Sequence, residues 1–451
     1  MNSFSHINNI YFLGIGGIGM SALARYFNAL GKRVAGTDRQ SSELTRTLEA
    51  EGIQVSYSAE VDLIPEEIRS DKNSLIVYTP AISGSNPQYQ YFLNHGYTIK
   101  KRAQVLGDIT RGSLTLAVAG THGKTTTTAI LAHLLKHAGA KVSAFLGGIS
   151  ENYQSNLILA GNEVIVVEAD EYDRSFLQLS PNIAAITSMD ADHLDIYGEA
   201  KELEDSFTAF AQLVPEDGKL FHKKGLPLGG ISIAVEEEAD ISVRNIRIDN
   251  GSYIFDLNYQ GELLEDLQLS LPGKHNLFNA ATALSMALAY GIPQEALKAA
   301  LADFRGVQRR FSYKIRREDL VLIDDYAHHP EEIRAAHEAV RAMHPGKQVL
   351  VVFQPHLFSR TRDFADDFAA SLDLFDQVRL LDIYPAREEA MTGITSEWLL
   401  GKLQNENKKL TDKASLVEEI RNTGAPVVMM LGAGDIGEEV ETVKKALQDE
   451  N

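Results

Sequence analysis

Leu114-Thr115-Leu116-Ala117-Val118-Ala119-Gly120-Thr121-His122-Gly123-Lys124-Thr125-Thr126-Thr127 decides how this chain is read. An apolar, β-branched run from Ser113 to Ala119 enters a glycine-containing turn, then a lysine and hydroxyl residues. Backbone N–H groups in such a turn, backed by the N-terminus of the next helix, favour anionic oxygens. Lys124 is placed to reach the β- and γ-phosphates of a nucleotide, and the Thr125 hydroxyl to ligate Mg²⁺. Gly120, Thr121, His122, Gly123 and Thr126 complete the cradle. Val118 stands where the general phosphate-loop pattern has its first glycine.

Outward from this stretch the chain alternates strands and helices. Asn9–Leu13, Arg33–Thr37 and Ser74–Thr79 read as strands, with an amphipathic helix over Ile18–Leu30. Leu114–Ala119, Val164–Glu168 and Ala184–Thr187 form a second set, with helices near Thr125–His137 and Ala200–Leu213. From Ile241 to Leu271 short alternating runs with Asn250-Gly251 and Gln260-Gly261 turns predict antiparallel hairpins attached to the central sheet. Leu320–Ile323, Val349–Phe353, Val378–Ile383 and Val427–Leu431 form a third set. The fold class is α/β, with three consecutive α/β domains on parallel sheets. They are N-terminal Rossmann-like (1–107), central P-loop ATPase-like with antiparallel hairpins (108–308) and C-terminal Rossmann-like (309–451).

The length of 451 residues suits about three domains. The 44% hydrophobic content supplies buried cores, and no run approaches the roughly 18 apolar residues of a membrane span. Met1–Ile10 lacks a secretory layout, so a cytoplasmic location is expected. With no cysteine, disulfides, thiol nucleophiles and Cys-ligated zinc are excluded. A net charge of −19 argues against nucleic acid as a bulk partner.

Gly14-Ile15-Gly16-Gly17-Ile18-Gly19 follows a strand and precedes a helix, and Asp38 ends the next strand. Alone, this meets the dinucleotide pattern and keeps an NAD-dependent oxidoreductase open. The same physics serves the diphosphate of a UDP-sugar. Gly432-Ala433-Gly434-Asp435-Ile436-Gly437 repeats the spacing without a following strand, and reads as tight strand–helix packing, with a cleft-lining loop as the alternative.

Val164–Val167 delivers Glu168, Asp170 and Glu171 to a sheet edge, where ligands of open α/β sheets bind. Glu168 is expected to face Thr125 and share a Mg²⁺ with the phosphates. Glu171 and Asp173 read as exposed acids capping the strand end. His193, in Asp192-His193-Leu194-Asp195 just past another strand end, is expected to hold a second cation or meet the γ-phosphate.

Together, Gly120–Thr127, Glu168 with Asp170, Asp192–Asp195, Pro272-Gly273-Lys274-His275-Asn276, Asp324-Asp325-Tyr326-Ala327-His328-His329-Pro330 and Gln354-Pro355-His356 resemble the Mur ligases along essentially the whole chain. Gly14–Met20, Glu168–Glu171, His328-His329 and Arg360-Thr361-Arg362-Asp363 are most similar to the alanine-adding member. Several relatives carry a modified lysine past the DHLD histidine; Asp205-Ser206-Phe207-Thr208 has none here. The resemblance implies ATP-dependent ligation of L-alanine to the carboxylate of UDP-N-acetylmuramate through an acyl phosphate, with ATP and two Mg²⁺ ions. It implies catalytic Lys124, Glu168 and His193, with metal at Thr125, Glu168 and His193. It places the UDP-sugar at Gly14–Gly19, Asp38 and Thr79. Asn276, Asn279, Arg310 and Asp325 are assigned to ATP, and His328, His329 and Arg360 to the amino acid. Leu357 stands where an arginine often follows the QPH triplet. A ligase that attaches a whole muramyl tripeptide, and a UDP-sugar or nucleotide sensor without catalysis, are further rival readings.

Overall fold

A computed structural model describes residues 4–190, 200–249, 251–386 and 388–448. The strands are β1 Asn9–Leu13, β2 Arg33–Thr37, β3 Gln54–Ser56, β4 Leu75–Tyr78, β5 Thr98–Lys101, β6 Leu114–Ala119, β7 Val142–Ser150, β8 Ser155–Leu159, β9 Val164–Glu168, β10 Ile183–Ile186, β11 Lys219–Lys223, β12 Ile231–Val235, β13 Ile241–Asp249, β14 Ser252–Tyr259, β15 Glu262–Leu269, β16 Ser312–Arg316, β17 Val321–Asp325, β18 Val349–Phe353, β19 Gln377–Leu380, β20 Lys408–Leu410 and β21 Val427–Leu431. They form three sheets, and the expected three-domain α/β architecture stands.

The first sheet is parallel in the order β3-β2-β1-β4-β5. Its order reverses at β1, so the glycine loop after Leu13 lies at the switch point of a doubly wound sheet. The second has ten strands in the order β15-β14-β13-β12-β11-β10-β6-β9-β7-β8. From β13 to β7 the pairings are parallel, and β8 closes that edge antiparallel to β7. Leu116–Ala119 and Val164–Val167 are buried on both faces, which is why they read as unbroken apolar runs. The chain from β13 to β15 extends the sheet as expected; the Asn250 turn position lies outside the described residues.

The first two sheets belong to one compact unit, residues 1–247, 254–268 and 278–305. One hydrophobic cluster runs through both, from Phe4, Phe12 and Phe27 to Val167, Phe176 and Phe210. The helix Ile18–Ala29, which starts at the glycine loop, is anchored across the boundary. Tyr26 packs on Phe145 with ring centroids 5.2 Å apart. Asn156, completely buried, donates to Ile18 O at 2.5 Å and to Ser21 Oγ at 2.8 Å. Its carbonyl accepts from Arg25, which also pairs with Glu51 at 2.8 Å.

The second unit comprises residues 248–253, 269–277 and 306–451. Its sheet runs β16-β17-β21-β18-β19-β20, parallel except for β16. Alternation along β18 sends Val349, Val351 and Phe353 to one core and Leu350 and Val352 to the other. The Gly432–Gly437 turn is tight packing, as read. A methyl on Gly432 would meet Gln354 O at 2.9 Å, and one on Gly434 would reach Tyr384 at 2.8 Å.

Candidate active site

The phosphate loop joins β6 to the helix Lys124–His137. Gly123 caps that helix with φ of 82°, a left-handed conformation that favours glycine. A side chain there would also come within 2.5 Å of Asn279 Oδ1, so Asn279 lies against the loop. Residues just after β10 fix the loop from the other side. His122 N donates to Ser188 Oγ at 2.8 Å, Asp190 N to Thr121 Oγ1 at 3.2 Å, and Thr187 Oγ1 to Ala119 O at 3.1 Å. His193, expected next along this segment, lies outside the described residues.

Lys124 Nζ donates to Gly120 O at 2.5 Å and to Glu171 Oε1 at 2.8 Å. Burial works against its ammonium charge, but Glu171, Asp170 and Glu168 outweigh it and raise the pKa. Glu171 corrects the sequence reading: it is not an exposed strand cap but completely buried against the lysine. The chain turns back after Asp170, whose Oδ1 accepts from Tyr172 N at 3.1 Å, and this returns Glu171 to the loop. Asp173 behaves as read, half-exposed and paired with Lys101 at 3.0 Å.

Glu168 faces the loop as expected. Thr125 Oγ1 lies 3.1 Å from Glu168 Oε1, and Gly147 N donates to Glu168 Oε2 at 3.0 Å. A hydroxyl and a carboxylate beside a phosphate cradle are hard oxygen donors, the set that Mg²⁺ takes alongside phosphate and water. The residues present therefore fit the ion. Gly147 escaped the sequence reading because nothing local marks a backbone N–H that orients a ligand carboxylate.

The glycine loop of the first sheet reaches the same place. Gly17, Gly19, Thr79, Arg102, Glu168 and Asp170 are among the residues lining one cavity of about 280 Å³. Ile18 lines it too. Gly14 and Ile15 serve the scaffold instead: both N–H groups bond Thr37 O, at 2.8 and 3.0 Å, and the Ile15 side chain is in the core. Asp38 Oδ2 accepts from Gly16 N at 2.7 Å, which uses the acid to brace the loop.

In the second unit, Asp325 accepts from Phe311 N and Ala327 N, both at 2.7 Å. Burial pushes its pKa up to about 6, against the opposing pull of Arg310. Arg310 lies over the Tyr326 ring at 5.2 Å and 4.0 Å from Glu332. Glu332, which the sequence reading missed, ties the cluster together. Its Oε2 accepts from His328 N at 2.9 Å and His329 N at 3.2 Å, and approaches His328 Nδ1 at 3.2 Å. The signal was present as a capping box, His329 with Glu332 around Pro330 at the helix start. His328 meets His356 edge to face at 5.9 Å, and His329 packs on Phe364 at 4.9 Å. Arg360 stands half-buried on the short helix Phe358–Asp363, entered through Leu357 at φ of 70°. Asn276 donates to Pro272 O at 2.6 Å.

The sequence and the fold have known relatives. Family models described as "Mur ligase family, catalytic domain", "Mur ligase middle domain" and "Mur ligase, glutamate ligase domain" match residues 9–113, 118–287 and 309–437. A protein of Christiangramia forsetii named UDP-N-acetylmuramate–L-alanine ligase is 61% identical over the whole of both chains. One of the same name from Flavobacterium johnsoniae is 54% identical over 99% of each. The crystal structure of the UDP-N-acetylmuramate-alanine ligase of Thermotoga maritima superposes with a TM-score of 0.85 at 27% identity, covering 98% of this chain and 100% of that one. With matches over all three sheets and identity of this order end to end, the chain belongs to the Mur ligase family.

Proposed function

We propose that this protein joins L-alanine to the carboxylate of UDP-N-acetylmuramate, converting ATP to ADP and phosphate. The observation that carries the reading is the cavity in which Gly17, Gly19 and Thr79 share one space with Glu168. A diphosphate on the glycine loop then sets its attached acid toward the edge where Lys124 and Thr125 stand. The identity of the acid and amine rests on the names of the relatives at 61% and 54% identity.

An unactivated carboxylate does not acylate an amine at neutral pH. In the proposed route a carboxylate oxygen attacks the γ-phosphorus of ATP, the bond to the β-phosphate oxygen breaks, and ADP departs. The amine nitrogen attacks the acyl carbon of the resulting acyl phosphate, inorganic phosphate leaves, and the nitrogen gives up a proton. This chemistry needs in-line positioning and charge stabilisation rather than a protein nucleophile.

Lys124 supplies a cation to the transferring phosphoryl group, and the loop N–H groups from Gly120 to Thr126 hold the β-phosphate. Thr125 and Glu168 would hold Mg²⁺, which when bound neutralises phosphate charge; His193 is assigned to a second ion. Asn276, Asn279, Arg310 and Asp325 are assigned to the nucleotide, and His328, His329 and Arg360 to the amino acid. Residues 1–107, 108–308 and 309–451 then serve the UDP-sugar, ATP and the amino acid in turn.

An oxidoreductase built on Gly14–Gly19 gives no work to Lys124, Thr125 or Glu168, and a non-catalytic sensor has no need to keep them. No helix among the described residues is long and apolar enough to cross a membrane. Phosphate release measured with UDP-N-acetylmuramate and ATP tests the reading, using L-alanine, L-serine, glycine and a muramyl tripeptide as amines. Release with L-alanine is expected. A response to the tripeptide alone would transfer the assignment to the peptide-adding ligases, and nicotinamide turnover without ATP would sink it.

A further inference from the structure

Arg102 starts the helix Arg102–Thr110 immediately after β5, and its side chain enters the cavity shared by the glycine loop and Glu168. It is the cavity's only cation among the described residues, whereas Glu168 and Asp170 both contribute carboxylates. A polyanionic substrate would be repelled by such a lining without a compensating charge. The guanidinium is held over the first turn of the helix Ile18–Ala29: a methyl on Gly19 would come within 2.9 Å of Arg102 Nη1. Its other arm is steered by Asp170, whose Oδ2 is 3.3 Å from Nη2. Its side chain is 24% exposed, so the charge is largely withdrawn from water yet still reachable.

A guanidinium offers five donors in a planar fork that matches phosphate oxygens. The single long bond to Asp170 leaves the rest of the fork for a ligand. Gly19 lets the fork come this close to the loop; any side chain there would push it away.

We propose that Arg102 binds the diphosphate of the UDP-sugar, with Asp170 orienting the fork from the central sheet. This rests on the UDP-sugar reading of the glycine loop. The residue thereby joins the two sheets through the substrate: the charge that captures the diphosphate comes from the helix leading into the ATP-binding segment.

Isothermal titration calorimetry on the full chain tests this, comparing wild type with R102Q and R102K. The titrants are UDP, UDP-N-acetylglucosamine, which lacks the lactyl acid, and UDP-N-acetylmuramate, with ADP–Mg²⁺ as a separate check on folding. R102Q is expected to weaken all three uridine ligands by a similar factor, about tenfold or more. R102K, keeping the charge without the fork, is expected to lose less, with ADP affinity unchanged in both. Equal affinities in R102Q and wild type would overturn the assignment. So would a loss confined to UDP-N-acetylmuramate, which would put Arg102 on the lactyl carboxylate. If R102Q also loses ADP, R102K decides by the same criteria. Wild-type protein that binds ADP but none of the uridine ligands would overturn the UDP-sugar reading along with the role of Arg102.

Discussion

Lys124 Nζ lies 2.8 Å from the Glu171 carboxylate, and Glu171 is withdrawn completely from solvent. A buried pair of this kind does little for net stability, but removing one partner strands the other, at a cost of about 3–5 kcal/mol. The lysine therefore has a structural bond in addition to its assigned part in catalysis, and the two can be separated. Lys124→Ala is expected to lower turnover by orders of magnitude and to lower the melting temperature, while UDP-N-acetylmuramate still binds. The double variant Lys124→Met with Glu171→Leu is expected to regain most of the stability and none of the activity. Thermal melts beside phosphate-release assays decide; ligase activity near normal in Lys124→Ala would remove the lysine from the mechanism.

Gly147 braces Glu168 through its N–H, and a side chain there would collide with the same carboxylate. Gly147→Ala is expected to raise the Mg²⁺ concentration for half-maximal activity by about tenfold while the fold melts near its usual temperature. The magnitude is that of a lost hydrogen bond to a charged group. An unchanged Mg²⁺ requirement would mean that Glu168 does not hold the ion.

Asp325 is held at a pKa of about 6, chiefly by burial. The folded chain thus keeps this proton at pH values where the unfolded chain, near the ordinary carboxylate pKa, has lost it. Stability from this group is complete below about pH 4 and is lost as pH rises through 6. Relative to Asp325→Asn, wild type is expected to lose on the order of 2 kcal/mol between pH 4 and pH 7. Melting curves of both proteins at four pH values measure it. If the carboxylate serves ATP, the Michaelis constant for ATP should also rise below pH 6 in wild type; a flat profile would argue against that role.

Glu332 caps the helix Pro330–Met343 and approaches His328 at 3.2 Å. Glu332→Ala is expected to cost about 1 kcal/mol from the lost cap. If His328 meets the amino acid, the same change should raise the Michaelis constant for L-alanine more than that for UDP-N-acetylmuramate. Steady-state kinetics with each substrate varied separately make the comparison, and equal effects would reduce Glu332 to a helix cap.

Strands such as Leu114–Ala119 and Val164–Glu168 were legible because burial on both faces leaves uninterrupted apolar runs, whereas Val142–Ser150, Lys219–Lys223 and Ile231–Val235, also inside the second sheet, were not read. Edge strands were not: Gln54–Ser56 and Lys408–Leu410 are three residues each and only partly buried. Thr125 and Glu168 were found because their chemistry is tied to a strand end and a turn. Glu171 was misread because the backbone reversal that buries it depends on Asp170 and Tyr172, not on a pattern in the neighbouring residues. Arg102 left no mark at all, since its meaning comes from Gly19 and Asp170, each far from it along the chain.

The hydrophobic cluster that runs from Phe4 to Phe210 has a calorimetric consequence. Three sheets suggest three independent melting events, yet the first two share this interior, beside a smaller cluster that the first keeps around Tyr11, Ile76 and Phe92. Heat should take residues of both through a single transition, and a fragment ending near residue 107 would leave Tyr26 without the packing that Phe145 supplies. Cooperativity here extends past the limits of the first sheet, carried in part by the bonds of Asn156 to Ile18, Ser21 and Arg25.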